Sequence, residues 1–190
     1  ILTRFKLQLA LTGNAIDTEP LNQDIADMQT MLEGYLAFAR GEGSEEASTY
    51  DMRLLCDKLA NEARLRERGF QYSIEGDSEV NVRPNAFSRL VSNLVSNAFR
   101  HAQNVELAIT HDEGWLKIVV DDDGPGIPED RREDVFKPFV RLDEARTQDS
   151  GGTGGLGLAI ARDIARSHGG DIDLEDAPTG GLRAIIRIPA

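Results

Sequence analysis

The sequence has a single cysteine, three histidines and only 6% aromatic residues. One thiol excludes an internal disulfide and any cysteine-rich zinc site. Cys56 stands in the apolar helical pattern LLCDKL, which marks it as a small core residue rather than a reactive nucleophile. His101, His111 and His168 share no metal-ligand spacing with it. Basic charge is also short: 21 Lys and Arg face 33 Asp and Glu, for a formal net charge of −12. Such a surface repels a duplex or an anionic lipid, so no nucleic-acid partner is expected. No uncharged run approaches the ~18 residues of a membrane span, and the N-terminus has no signal-peptide pattern. The chain opens at Ile1, without Met and inside a helical pattern, and reads as a soluble fragment of something longer.

What is present suits one sizeable globular core with a small appendage: 40% hydrophobic and 28% charged residues. Residues 1–13 read as the tail of a helix stopped at Gly13-Asn14, and Thr18-Glu19-Pro20 opens a second. There Leu21, Ile25, Met28, Leu32, Tyr35 and Ala39 alternate spacings of four and three, a seam for packing against other helices. Residues 1–40 are therefore expected to form a hairpin that dimerises into a four-helix bundle; packing on the downstream domain is the alternative. Residues 41–48, GEGSEEAS, bury nothing and read as a linker. From 49 to 190 the pattern is mixed α and β. A helix is expected over 49–68 with Thr49 as its cap, strands over 70–75 and 79–83, and a long helix from Pro84. Strands at 105–112 and 115–123, a short helix over 128–136, a polar loop at 142–155, a helix over 156–168 and two closing strands complete the order. Adjacent antiparallel pairs with helices between them predict one sheet covered on one face.

Three segments suggest chemistry. In RLVSNLVSNAFRHAQN, Asn93, Asn97, Arg100 and His101 share one helical face, beside a core face of Phe87, Leu90, Val91, Leu94 and Ala98. An asparagine amide oxygen is a hard neutral ligand suited to Mg²⁺, though two helical asparagines taken alone are more often solvated or capping. In DDDGPGIP (121–128), Leu116, Ile118, Val120 and Asp122 alternate onto one strand face, which puts an acid at the end of an apolar row. Burying that carboxylate costs several kcal/mol unless it is hydrogen-bonded, and an adenine amine can donate where the guanine oxygen repels. A plain Asp-Gly turn is the plainer reading. Third, the glycines of 151–157 precede a helix and offer backbone N–H groups to anions. Residues 152–157 spell GxGxxG, but a polar loop rather than a strand precedes them, so the Rossmann fingerprint does not apply.

In this order and spacing the segments resemble the N, G1 and G2 boxes of the GHKL ATP-binding fold, particularly of sensor histidine kinases in two-component systems. KPFVRLDEAR (137–146), with Phe136 and Phe139, resembles the F box between them. The resemblance covers nearly the whole chain. It implies an α+β fold, the GHKL (Bergerat) ATP-binding α/β sandwich, whose mixed and mostly antiparallel sheet carries helices on one face, preceded by a dimerisation and phosphotransfer hairpin. It implies ATP and Mg²⁺ as cofactors. Asn97 would hold the metal with Asn93 assisting, and Arg100 and His101 would approach the phosphates. Asp122 would read adenine in a pocket lined by Gly124, Gly126 and Ile127. Gly152, Thr153, Gly154, Gly155, Leu156, Gly157 and Leu158 would form the ATP lid and hinge, with Arg146 in its approach. The implied partners are a second copy through residues 1–40 and a response-regulator receiver domain, within a membrane-anchored full-length protein whose catalytic part is cytoplasmic.

Two departures stand out. Ile1-Leu2-Thr3 matches the end of the family's phosphoacceptor motif, with Ile for Pro, which places the acceptor histidine upstream of this sequence. The segment 152–158 carries one glycine more than the usual Gly-Thr-Gly-Leu-Gly-Leu, so the pairing of glycines with phosphates stays open. The gyrase, heat-shock and mismatch-repair ATPases of this fold carry a water-activating glutamate where Asn93 stands. An amide cannot take a proton, which favours a kinase over the alternatives of an ATPase with nucleotide-gated dimerisation or an inactive nucleotide-binding module.

Overall fold

A computed structural model describes residues 45–112, 114–140, 155–178 and 180–190. The expected hairpin of 1–40, Arg146 and the glycines up to Gly154 lie outside the described residues. In chain order the elements are β1 (Ser48–Asp51), α1 (Met52–Leu65), β2 (Gly69–Gly76), β3 (Glu79–Val82), α2 (Pro84–His101), β4 (Asn104–Asp112) and β5 (Trp115–Asp122). Two 3-10 turns follow, Glu129–Arg131 and Asp134–Phe136, and then α3 (Gly157–Ser167), β6 (Asp171–Asp176) and β7 (Leu182–Pro189).

Five strands form one sheet in the order β2-β4-β5-β7-β6. β4, β5, β7 and β6 pair antiparallel, as expected, while β2 runs parallel to β4. Strand alternation gives the sheet two unlike faces. Val105, Leu107, Ile109, Leu116, Ile118, Val120, Ile186 and Ile188 point to one side, and each is at most 3% exposed. The opposite face carries ion pairs such as Arg183 with Asp121, bonded through both guanidinium arms at 2.7 and 2.6 Å. The apolar face is roofed by α1 on β2, α2 on β4 and β5, and α3 on β6 and β7. α2 lies also against α3, and its Phe87, Leu90, Val91, Leu94, Val95 and Ala98 are buried between helix layer and sheet. Each such large side chain contributes about 1.5–3 kcal/mol relative to an exposed position.

Three expectations are corrected. Residues 48–51 are a strand, so the first helix starts at Met52 and is capped by Asp51, whose carboxylate accepts from Arg53 N at 3.0 Å; Thr49 lies within β1. The strands at 69–76 and 79–82 do not pair with each other. β3 pairs with β1 in a separate ribbon that brings Tyr50 edge-on to Phe87 at 5.8 Å. β2 reaches its parallel partner through a crossover containing β3 and α2, the long connection a parallel pair requires. Finally, 128–136 is two 3-10 turns and no α-helix. Arg162 of α3 fixes the second turn, lying 4.3 Å over the Phe136 ring and bonding Glu133 at 2.7 Å.

Candidate functional site

The site begins with the register of α2. Pro84 occupies its first turn, where the missing N–H is no loss. Its core stripe then fixes the rotation of the helix, and Asn93, Asn97 and Arg100 fall on the half-buried flank while His101 is exposed at the end. Asn93 holds one unusual atom. Its side-chain Nδ2 is buried and has no hydrogen-bond partner among the described residues. A buried amide donor without an acceptor costs about 1–3 kcal/mol, which a phosphate oxygen or a water carried with a ligand would relieve.

β5 brings Asp122 to the same end of the sheet. It is 6% exposed, the one buried charged side chain among the described residues. Its Oδ1 accepts from Gly124 N at 2.9 Å and from Leu182 N at 3.1 Å. Oδ2 accepts nothing among the described residues, so one oxygen is committed to the backbone and the other is free for a donor. Glycine is required beside it. A Cβ on Gly124 would stand 2.9 Å from Asp122 Oδ1 and 3.1 Å from the His101 carbonyl oxygen; on Gly181, at φ +127°, it would stand 2.1 Å from the Asp122 carbonyl oxygen. These contacts show that the turn after β5 touches both the end of α2 and the start of β7. Ile127 packs partly into the core, and its carbonyl accepts from Arg132 Nε at 3.0 Å.

The glycine segment before α3 is described only from Gly155. The carbonyl of Gly155 accepts from Phe139 N at 3.1 Å, so the end of this segment is joined to the loop after the second 3-10 turn. Leu156 precedes α3, Gly157 opens it and Leu158 packs against the core. An open cavity of about 390 Å³ lies between the 125–129 turn and the β6–β7 loop. It shares Gly126 and Ile127 with the expected site but includes neither Asp122 nor the asparagines. Among the described residues no cluster of three or more His, Cys, Asp or Glu could hold a metal, so a divalent ion here would depend on Asn97 together with oxygens brought by a ligand.

Sequence reading missed Leu182, whose backbone N–H supports Asp122, and Gly181, packed against it. The Gly180-Gly181 pair between two strands was the available signal. It also missed Asp123. Backbone and side-chain amides of Asn104, then the amide of Gln103, hold that carboxyl below the usual carboxylate range. Cys56 is the core residue expected, and burial pushes its thiol up to about 12.

With this geometry in view, known proteins give a consistent picture. Residues 82–190, more than half of the chain, match the family described as histidine kinase-, DNA gyrase B-, and HSP90-like ATPase. The sensor histidine kinase CpxA of Escherichia coli K12 is 32% identical over 200 residues, spanning 99% of this chain and 44% of that protein. The sensor histidine kinase GtrS of Pseudomonas aeruginosa is 31% identical over 190 residues, spanning 99% of this chain and 39% of that protein. The chain thus spans less than half the length of these relatives. Among solved structures, the ATP-binding domain of PrrB from Mycobacterium tuberculosis superposes with a TM-score of 0.62 at 28% identity, covering 76% of this chain and 98% of that one. The order of elements accords with these likenesses: the chain belongs to the histidine kinase-, DNA gyrase B-, and HSP90-like ATPase family.

Proposed function

We propose that this chain is the ATP-dependent kinase core of a sensor histidine kinase, transferring a phosphoryl group from ATP to a histidine upstream of Ile1 for relay to a receiver-domain aspartate. One observation carries the reading. Asp122 is buried with Oδ1 committed to backbone amides and Oδ2 without a partner among the described residues, on a turn that touches the end of the helix bearing Asn97. A carboxylate oxygen so placed accepts from the amine of adenine and rejects the carbonyl of guanine. Asn93 offers its buried amide donor to the phosphate end, and Arg100 supplies positive charge one turn on. Asn97 would hold Mg²⁺, which neutralises charge on the phosphate oxygens. Gly152 to Leu158, with Arg146 before them, would close over the phosphates as a lid. Because Asn93 cannot accept a proton, the site does not activate water; it positions the nucleotide for an imidazole that is already nucleophilic.

The same reading makes residues 1–40 the homodimerising hairpin and takes 41–48 as the linker, corrected at its end, where Glu45 already bonds the start of α2 and Ser48 opens β1. It takes the full-length protein as anchored in a bacterial inner membrane with this part in the cytoplasm. No helix among the described residues is long and apolar enough to cross a membrane. Equilibrium binding of ATP and GTP with Mg²⁺ tests the assignment. ATP should bind and GTP should not, and Asp122→Asn should weaken ATP about tenfold or more, the value of a hydrogen bond to a charged group. Equal affinity for both nucleotides, or an unchanged Asp122→Asn protein, removes it.

A further inference from the structure

The Asp123 side chain bonds Gln103 and Asn104 rather than the residues assigned to the nucleotide, yet it ties the two parts of their site together. Its Oδ1 accepts from Gln103 N at 2.8 Å and Asn104 N at 2.9 Å, its Oδ2 accepts from Asn104 Nδ2 at 2.7 Å, and its own N–H donates to the Asn104 carbonyl at 3.3 Å. Gln103 follows Ala102, the residue that ends α2, and Asn104 opens β4, so the whole set joins the connection leaving that helix, and the start of β4, to the end of β5. On one side of the tie, α2 carries Asn97 and Arg100; on the other, Asp122 precedes it and Gly124 follows. A Cβ built on Gly124 would lie 3.1 Å from the His101 carbonyl, so the two parts already meet backbone against backbone.

We propose that Asp123 is a positioning residue that sets the distance between the base-reading Asp122 and the phosphate-binding end of α2. The inference rests on the nucleotide reading above. A nucleotide held at both ends gains affinity from its second contact only if the two holding groups stand at the span of the ligand; a displacement of about 1 Å forfeits much of that gain. Hydrogen bonds to an ionised acceptor are the stronger kind, and the amides around Asp123 keep it ionised at neutral pH.

The test compares AMP, which engages the base end, with ATP and Mg²⁺, which engages both. Dissociation constants are measured for the unmodified chain, Asp123→Ala and Asp123→Asn, at a temperature where circular dichroism shows all of them folded. The advantage of ATP with Mg²⁺ over AMP should fall about tenfold in Asp123→Ala while AMP affinity changes less than about twofold. Asp123→Asn keeps an acceptor for the two backbone amides and should lose an intermediate share. A general structural role would instead weaken both ligands in proportion, and that result, or an unchanged ratio, overturns the proposal. Should the alanine variant fail to fold, the asparagine variant decides by the same ratio. An unmodified chain that binds neither ligand overturns the nucleotide reading itself, and this inference with it.

Discussion

The N-terminus of α2 and the connection that follows its C-terminus are each held by a carboxylate from elsewhere in the chain, and they are held to different effect. At the N-terminus Arg83 supplies no side-chain cap, and Glu45, forty positions before Asn85, takes that place. Its Oε1 accepts from Asn85 N and Nδ2, both at 2.8 Å, and its Oε2 from Ala86 N at 3.1 Å. Past the C-terminus Asp123, about twenty residues downstream, holds Gln103 and Asn104, the residues that lead from α2 into β4. The N-terminal contact satisfies backbone donors that the helix leaves orphaned and lies well away from Asn97 and Asp122 in the chain; it serves stability. The C-terminal contact lies between the parts of the site and serves register. One helix is thus secured at one end and aimed at the other.

The sharpest way to break this contrast is at the aimed end. Asn97→Ala in a protein extended upstream to its acceptor histidine should abolish phosphotransfer from ATP, measured as acid-labile label, while leaving the melting temperature nearly unchanged; retained transfer excludes Asn97 as the metal ligand. Next in size, Gly181→Ala forces a Cβ to within 2.1 Å of the Asp122 carbonyl oxygen at a φ of +127°. It should cost at least about 1–3 kcal/mol by denaturant unfolding and weaken ATP as well; a stable variant with full affinity would show that the β6–β7 loop does not support Asp122. Glu45→Ala should cost about 1 kcal/mol of stability without changing the ratio of AMP to ATP affinity, in contrast to Asp123→Ala. A changed ratio there would erase the distinction between the two ends.

The smallest effect concerns Cys56, whose folded thiol is pushed up to about 12 by burial. A free cysteine titrates near 8.5, so the unfolded chain loses its proton first. The stabilisation is fully present below that pH and is lost as pH rises from there towards about 12. Stability should therefore fall less steeply between pH 9 and 11 in Cys56→Ala than in the unmodified chain. Parallel slopes contradict the buried, neutral thiol.

Local periodicity carried the parts of the fold that depend on one face of one element. The core stripe of α2, the alternation that leads to Asp122 and the apolar setting of Cys56 were all readable from spacing, because burial imposes a period on each element by itself. Partner choice was not readable. β2 and β3 each alternate correctly, but alternation does not say which edge a strand meets, and β2 lies beside β4 while β3 takes β1. β1 is four residues whose Tyr50 suits a helix stripe as well as a strand, so it disappeared into the following helix. The supports of the site escaped for the same reason. Leu182 N on Asp122, Asp123 on Asn104 and Glu45 on Asn85 join positions 60, 19 and 40 residues apart, and they use backbone groups that every residue has.

The central claim is that Asn93 and Asn97, the turn after Asp122 and the glycines before α3 surround one adenine nucleotide. Amide NMR of the 20.9 kDa chain tests it most directly, because side-chain amides of asparagine report alongside the backbone. Adding ATP with Mg²⁺ should shift together the side-chain signals of Asn93 and Asn97 and the backbone signals of Gly124, Gly126 and Gly154 to Gly157. Shifts confined to one of the three segments, with the others silent at saturation, would contradict it.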